Sequence, residues 1–291
     1  MAVVAPSGPA AAAPLRDGLQ ILSARYTIVH TYSPAVPGEA HPPYLSDTDQ
    51  RRAELFNRAV ADEEVEAIFC ARGGYGAMRI LELLDGELYR RRRPLLVGLS
   101  DITALHAWAA GLEVPTIHGP VVTQLGALPK GNLQSLYALI EGRGAPLLSG
   151  LEPLAGGRAS GPLLGGNLTL LSHLCGTPYM PHFLGHILLL EEVAESPYRI
   201  DRMLTQLRLA GVLDGLAGIV LGQFLRCDAP QGTPPTPVTA REVLFDRLGR
   251  LGIPVAWGAP VGHGETNVAL PMGLPAHLDA DGGTLIFKVE P

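Results

Sequence analysis

Ser100 is the residue of this sequence with the clearest capacity for nucleophilic chemistry. It lies in the segment 97–103, Val-Gly-Leu-Ser-Asp-Ile-Thr, where an apolar strand is predicted to end and a helix to begin. A serine on such a turn presents its hydroxyl beside helix N-terminal amides that can stabilise an oxyanion. The G-x-S-x-G pattern of a nucleophile elbow is incomplete, because residue 102 is isoleucine. A helix N-cap is therefore the alternative interpretation of Ser100.

A glycine-rich turn, Arg72-Gly-Gly-Tyr-Gly76, follows the apolar segment 65–70. Glycines let the backbone approach a ligand closely or adopt a positive φ. The turn is neither a P-loop, because no Gly-Lys-Ser/Thr follows, nor a G-x-G-x-x-G turn. Its amides could supply a second oxyanion donor near Ser100, and the alternative is an ordinary strand–helix turn.

Candidates for a general base and its partner lie in the second half of the chain. Glu191 and Glu192 end the apolar run 187–190, where a carboxylate could orient a histidine as the third member of a triad. His263 lies between two glycines in a predicted loop, a setting that suits proton transfer. The alternatives are solvated acids at a strand end and an ordinary surface histidine.

Other reactive side chains are weaker candidates. His182 and His186 have the spacing of a helical metal site, but Pro181 and Gly185 argue against a helix there. Cys70 ends an apolar strand, where a cysteine is usually a small buried hydrophobe. We therefore predict neither a metal site nor a cofactor.

Strand-like and helix-like segments alternate in the first half of the chain. Such alternation predicts a parallel sheet within a three-layer α/β sandwich, with functional loops at the carboxyl ends of the strands. The predicted strands are 2–5, 24–30, 65–70 and 95–99, and the predicted helices are 16–22, 47–61, 78–84 and 101–110.

The second half begins after a segment, 121–160, that is rich in loop-forming residues. We predict an N-terminal α/β domain at 1–125, a linker region at 126–160 and a C-terminal domain at 161–291. Within the last, the pattern predicts helices at 167–174, 197–210 and 239–251, and strands at 187–190, 216–221 and 255–258. A hairpin of 275–278 with 284–289 is predicted around Asp-Gly-Gly.

Composition excludes several classes of protein. The 291 residues are 47% hydrophobic and 17% charged, which indicates a packed core rather than a disordered chain. A net charge of −6 and the lack of a broad basic face argue against a nucleic-acid partner. No apolar run reaches the roughly 18–20 residues of a membrane span, and the N-terminus lacks a signal-peptide pattern. Three widely spaced cysteines favour a reducing compartment, so we expect a cytoplasmic protein.

Together these segments resemble the LD-carboxypeptidases, serine peptidases that trim murein tetrapeptides and have the microcin-immunity peptidases as relatives. The resemblance extends over nearly the whole chain. Its blocks are 4–8, 44–47 with Arg51, 68–76, 98–103, 164–168, 190–202, 221–223 and 260–267.

The resemblance implies a Rossmann-like parallel-sheet N-terminal domain carrying the nucleophile and a swivelling, barrel-like α/β C-terminal domain carrying the acid and histidine. By position, Ser100 would be the nucleophile, His263 the base and Glu191 the orienting acid, since the family's acid directly follows the apolar run. The backbone amides of Gly74 and Asp101 would form the oxyanion hole. Substrate-binding residues would be Arg72, Gly73 and Tyr75.

The implied activity is a serine carboxypeptidase that releases D-alanine from murein tetrapeptides through an acyl-enzyme. The implied partner is a small peptide, and family members are commonly homodimers. A peptidase of the microcin-immunity type, acting on an aminoacyl-nucleotide amide, is an alternative. Another is a non-catalytic α/β protein that binds a small ligand in an anion cradle formed by the turn 73–76 and the helix at Asp101.

Overall fold

Two β-sheets flanked by helices make up the computed structural model, which describes residues 1–33, 41–228 and 238–287. The strands are β1 (Ala2–Val4), β2 (Ala67–Cys70), β3 (Leu95–Gly98), β4 (Thr116–His118), β5 (Leu147–Ser149), β6 (Glu152–Ala155), β7 (Arg158–Asn167), β8 (Ile187–Val193), β9 (Gly218–Leu225), β10 (Val255–Trp257), β11 (Leu270–Met272), β12 (Pro275–Asp279) and β13 (Thr284–Phe287). The α-helices are α1 (Ala12–Ser23), α2 (Asp49–Ala61), α3 (Gly86–Arg92), α4 (Thr103–Gly111), α5 (Lys130–Ile140), α6 (Leu168–Leu174), α7 (Pro197–Leu209) and α8 (Ala240–Leu248). Short 3₁₀ helices cover Ala77–Leu83, Ser100–Ile102 and Val122–Ala127. No helix in the described ranges is long and apolar enough to cross a membrane.

The first sheet has the strand order β1-β2-β3-β4-β11. Its first four strands are parallel, whereas β11 pairs antiparallel with β4. Since successive side chains of a strand point to opposite faces, Phe69 packs in the core that contains α1 residues. Its neighbour Ile68 packs in the core that contains α2 and α4 residues. The α/β class and the parallel pairing predicted for the first half are thus confirmed.

The register of this sheet brings two strand ends together. Gly98 of β3 lies opposite His118 of β4, and the Gly119 N–H donates to Gly98 O at 3.0 Å. The turn that carries Ser100 therefore starts beside the end of β4. Such a position, at the carboxyl edge of a parallel sheet, is where α/β proteins bind ligands.

The second sheet has eight strands in the order β5-β13-β12-β7-β8-β9-β10-β6. The central four, from β7 to β10, are parallel, and antiparallel strands flank them. On β8, Leu188 and Leu190 pack in a core with residues of α6, α7 and α8. Ile187 and Leu189 pack on the other face with Leu270 of β11. Consecutive residues of β8 thus point to different environments, which matters for the two acids at its end.

Two predicted segments differ from the structure. Residues 24–30 are not a strand: a single bridge joins Ala2 and His30, because only this end of the segment pairs with β1. Residues 121–160, expected to be loops, contain a 3₁₀ helix, α5, β5, β6 and the start of β7. Pro153 is compatible with β6 because this strand is at a sheet edge, where a missing N–H does no harm. The predicted domain boundaries remain a prediction.

The hairpin near the C-terminus is confirmed as the antiparallel pair β12–β13. The predicted end of its second strand, 288–289, lies outside the described residues. The helix predicted at 78–84 is a 3₁₀ helix, Ala77–Leu83.

Candidate active site

Ser100 occupies a strained turn between β3 and α4. Its φ is +66°, a left-handed conformation that costs a non-glycine residue about 1–3 kcal/mol. At Gly98, a Cβ would lie 2.9 Å from two carbons of Ile102, so glycine at 98 makes room for this side chain. Ile102 also occupies the position before α4, and no side chain caps that helix. The N-cap interpretation of Ser100 is therefore wrong, and the strained strand–helix turn is the geometry expected of a nucleophile elbow.

The glycine-rich turn lies directly against Ser100. A Cβ on Gly73 would be 3.0 Å from the Ser100 Cβ and 3.4 Å from its Oγ. Gly74 and Gly76 adopt φ values of +108° and +125°, which favour glycine. The backbone can therefore turn sharply at both positions, directly after the close approach of Gly73 to Ser100.

The Asp101 carboxylate binds the chain directly after the glycine-rich turn. Asp101 is buried, and its Oδ2 accepts a hydrogen bond of 2.8 Å from the Ala77 N–H. Burial raises the pKa of Asp101, while the Ala77 N–H and the Arg52 charge oppose the rise. The residue after Ser100 thus connects the turn that carries Ser100 to the chain just beyond Gly76.

Glu191, near the end of β8, and His263, in the loop before β11, form a hydrogen-bonded pair. His263 Nδ1 and Glu191 Oε2 are 2.7 Å apart, the glutamate side chain is 0% exposed and the histidine side chain is 18% exposed. Burial lowers the pKa of His263, but the hydrogen bond and charge of Glu191 outweigh burial, so the net pKa is raised. A carboxylate on Nδ1 leaves Nε2 with the lone pair that a general base needs.

The neighbouring acid, Glu192, has a different set of partners. Its carboxylate accepts hydrogen bonds from Asn167 Nδ2 at 3.0 Å and from Val193 N at 2.8 Å. Thr169 donates two more, from its N–H at 2.8 Å and its hydroxyl at 2.7 Å. Glu192 therefore fixes the start of α6, and Glu191 is the acid that contacts His263.

The His263 loop is held by two amide side chains that the sequence interpretation did not single out. Asn267 Oδ1 accepts from the Gly262 N–H at 3.1 Å, and Gln223 Oε1 accepts from the Gly264 N–H at 2.6 Å. Gln223 Nε2 also donates to Thr266 O at 3.1 Å. The segment 221–223 belongs to the resemblance blocks, which was a signal for Gln223.

The two halves of the site meet through Thr103 and Asn167. Thr103 Oγ1 and the Asn167 backbone N are 2.9 Å apart, and Asn167 lies opposite Glu191 in the β7–β8 pairing. The side chain of Asn167 donates in turn to Glu192. Ser100 and His263 make no direct hydrogen bond in the described structure. In the absence of substrate, the hydrogen bond between a nucleophile and its base is often long or poorly aligned, and it tightens when substrate binds.

Two buried histidines lie behind the serine turn. His106 Nε2 is 2.9 Å from Gly98 O, and its ring centroid is 6.0 Å from that of His118. Burial lowers the pKa of His106 to about 3, with the His118 charge adding to the effect. Burial also lowers the pKa of His118. Both imidazoles are therefore neutral at pH 7, and neither was singled out from the sequence.

The side chains expected to contact substrate lie around the glycine-rich turn. Arg72 is exposed, and its Nη1 donates to Pro9 O at 2.8 Å. Tyr75 is exposed and packs edge-to-face on Tyr44, with ring centroids 5.8 Å apart. Gly73 is buried against the serine, as described above.

The weaker candidates lie apart from this arrangement. Cys70 is buried, and burial raises the pKa of its thiol. His182 and His186 lie in the irregular segment before β8. Among the described residues, no group of three or more His, Cys, Asp or Glu side chains is placed to hold a metal ion.

Comparison with known proteins supports one family over nearly the whole chain. The model of the LD-carboxypeptidase N-terminal domain matches residues 1–119, and that of the LD-carboxypeptidase C-terminal domain matches residues 160–278. The chain belongs to the LD-carboxypeptidase family and is a peptidase hydrolase.

Individual relatives agree with this assignment. A Streptomyces coelicolor protein with the provisional name carboxypeptidase is 42% identical over 98% of this chain and 92% of its own. The murein tetrapeptide carboxypeptidase of Pseudomonas aeruginosa is 34% identical over 84% of this chain and 82% of its own. The solved structure of muramoyltetrapeptide carboxypeptidase from Oxalobacter formigenes has a TM-score of 0.84 and 28% identity, covering 100% of this chain and 99% of that one.

Proposed function

We propose that this protein is a serine carboxypeptidase that releases the terminal D-alanine of murein tetrapeptides. The proposal is supported by the presence of two structural features in the same chain. One is a serine held at φ +66° on a strand–helix turn, and the other is a histidine bound through Nδ1 to a fully buried glutamate. The names of the Pseudomonas and Oxalobacter relatives, both carboxypeptidases of murein tetrapeptides, suggest the substrate class.

The first chemical step would be attack by Ser100. His263 Nε2 takes the hydroxyl proton as Oγ bonds to the carbonyl carbon that joins an L-centre to D-alanine. Glu191 keeps the imidazole in the tautomer with its proton on Nδ1 and stabilises the imidazolium that forms. The triad is therefore assigned to Ser100, His263 and Glu191.

The negative charge of the tetrahedral intermediate would be held by backbone amides. We assign this role to the N–H groups of Gly74 and Asp101, because the turn 73–76 lies against Ser100 and Asp101 follows it. Loss of one such donor typically costs about 3–4 kcal/mol of transition-state stabilisation. Collapse expels D-alanine, protonated by His263, and water then hydrolyses the acyl-enzyme.

The remaining assignments are parts of the same proposal. Arg72, Gly73 and Tyr75 line the substrate side of the turn. The partner is a small murein peptide rather than nucleic acid, in keeping with the net charge of −6. We also propose a cytoplasmic homodimer in which residues 1–125 carry the nucleophile and residues 161–291 the acid–base pair.

Mass spectrometry of the products tests this function directly. The protein is incubated with a murein tetrapeptide containing diaminopimelate or lysine and, in parallel, with an aminoacyl-sulfamoyl nucleotide. Release of D-alanine with little nucleotide cleavage supports the proposal, and the reverse preference would assign a microcin-immunity type of peptidase. Tight binding of the tetrapeptide without any turnover would indicate a non-catalytic binding protein.

A further inference from the structure

Arg52 is among the largest side chains that are fully buried in the described structure. Its side chain is only 1% exposed, whereas a long cation is seldom buried without partners. Arg52 is not part of the proposed triad or oxyanion hole. Its contacts therefore call for a separate explanation.

The guanidinium of Arg52 joins the turn after β1 to the glycine-rich turn that borders Ser100. Nη1 donates to Gly76 O at 2.9 Å and also to Pro6 O. Nη2 donates to Asp49, whose carboxylate in turn binds Arg79 Nη2 at 2.7 Å. One buried nitrogen thus bridges the turn after β1 and the end of the glycine-rich turn.

The surroundings of Gly76 are shaped for this contact. Gly76 has a φ of +125°, and a Cβ there would lie 3.0 Å from Arg52 Nη1 and 2.6 Å from a Leu45 methyl carbon. The next residue, Ala77, donates its N–H to Asp101 at 2.8 Å. At the other end of the turn, the Gly8 N–H donates to Gly73 O at 3.2 Å. The backbone of 73–77 is therefore held at both ends, by Gly8 at Gly73 and by Arg52 and Asp101 at Gly76 and Ala77.

We propose that Arg52 is a positioning residue of this peptidase, which fixes the amides of the turn 73–76 against Ser100 by bridging Gly76 O and Pro6 O. The proposal rests on the proposed function, since that function gives the turn its oxyanion role. A guanidinium suits this task because its planar donors have fixed directions, whereas an ammonium is a point charge on a flexible stem.

Arg51 provides a matched control one residue away. Its side chain is 45% exposed and binds Glu54 on the surface of α2 at 2.9 Å. The same substitution at 51 and 52 therefore removes a cation from the same helix, but only at 52 does it release the turn.

The test compares Arg52→Gln, Arg52→Lys and Arg51→Gln in two measurements. Amide hydrogen exchange followed by mass spectrometry reports the protection of the segments containing Gly8 and Ala77. Steady-state D-alanine release reports kcat and KM. Because the turn acts on the transition state, we expect Arg52→Gln to lower kcat about 10–100-fold with KM changed less than about 3-fold. We also expect faster exchange confined to the two segments, partial recovery in Arg52→Lys, and wild-type behaviour in Arg51→Gln.

Other results would overturn either the positioning role of Arg52 or the proposed function. Unchanged protection of Gly8 and Ala77 in Arg52→Gln overturns the proposal, whatever happens to kcat. If Arg52→Gln does not fold, Arg52→Lys decides: wild-type exchange and kcat in this variant would mean that the guanidinium is not required. If the wild-type protein releases no D-alanine, the proposed function fails, and exchange alone still decides whether Arg52 holds the turn.

Discussion

The two halves of the proposed active site are positioned by different means. At the end of β3, the backbone positions the nucleophile: Ser100 takes a positive φ, and Gly73 leaves just enough room for it. At the end of β8, side chains position the base: Glu191 is fully buried and holds His263, whose loop is fixed by amide side chains. The first half should therefore respond to added volume, and the second to lost charge and to pH.

The two neighbouring acids on β8 have different roles. Glu191 and Glu192 are neighbours, both buried, yet one contacts the catalytic histidine candidate and the other satisfies α6. A strand turns successive side chains to opposite faces, which is sufficient to separate the two roles.

Replacement of the nucleophile should have the largest effect. In Ser100→Ala, D-alanine release should fall by at least about 10⁴-fold, because loss of the nucleophile disables the whole triad. The melting temperature should change little, since alanine meets the same backbone strain as serine. Coupled D-alanine detection and thermal unfolding measure both quantities, and near-wild-type release would end the assignment.

Substitution of Glu191 and of Glu192 should have different effects on kcat and on stability. Glu191→Gln should lower kcat about 10³–10⁴-fold, because an amide opposite Nδ1 no longer secures the tautomer. Glu192→Gln should change kcat less than about 10-fold but lower the free energy of unfolding by about 1–3 kcal/mol, since the NH₂ group that replaces one carboxylate oxygen would face two of the four donors. Kinetics and urea denaturation of both variants are the measurements. Equal kinetic losses would contradict the division of roles.

Added volume at the serine turn should have a smaller effect. Gly73→Ala places a Cβ 3.0 Å from the Ser100 Cβ, so we expect a loss of about 10–100-fold in kcat/KM. Gly131→Ala is the control, because a Cβ on this exposed helical glycine would have nothing within 4 Å. The control should keep full activity and gain up to about 1 kcal/mol of stability. Full activity in Gly73→Ala would show that the turn need not touch Ser100.

The pH dependence should reveal the charge of Glu191. The catalytic form has neutral His263, so kcat/KM should rise with pH through a His263 pKa that lies above the ordinary value near 6.5. In Glu191→Gln, burial remains and the carboxylate charge is lost, so this limb should move to lower pH. The stabilisation from protonated His263 is complete below the unfolded pKa and is lost as pH rises through the folded one. Profiles of kcat/KM and melting temperature against pH check both directions, and a limb that does not move would contradict the pairing.

Much of the architecture followed from local patterns. The strand–helix alternation predicted the parallel sheet, and the Asp-Gly-Gly segment predicted the β12–β13 hairpin. Pairings between distant segments could not be predicted in this way: β11 joins the first sheet from near the C-terminus, and the segment 24–30 lacks a full partner despite its strand-like composition.

The residues of the candidate site could also be predicted only in part from the sequence. Ser100, Glu191 and His263 stand out by type and position, but their supporting residues do not. Arg51 and Arg52 look alike in sequence, and only helical spacing to the buried Phe56 hinted that Arg52 points inward. The family resemblance pointed to Glu191 rather than Glu192, but the separate partners of the two acids appear only in the folded structure.

Labelling of the nucleophile tests the central claim most directly. The protein is treated with a fluorophosphonate, and the modified residue is located by peptide mass spectrometry in wild type, Ser100→Ala and His263→Ala. We expect one adduct on Ser100 in the wild-type protein, none in Ser100→Ala and much slower labelling in His263→Ala. A wild-type protein that releases D-alanine but carries no adduct on Ser100 would contradict it.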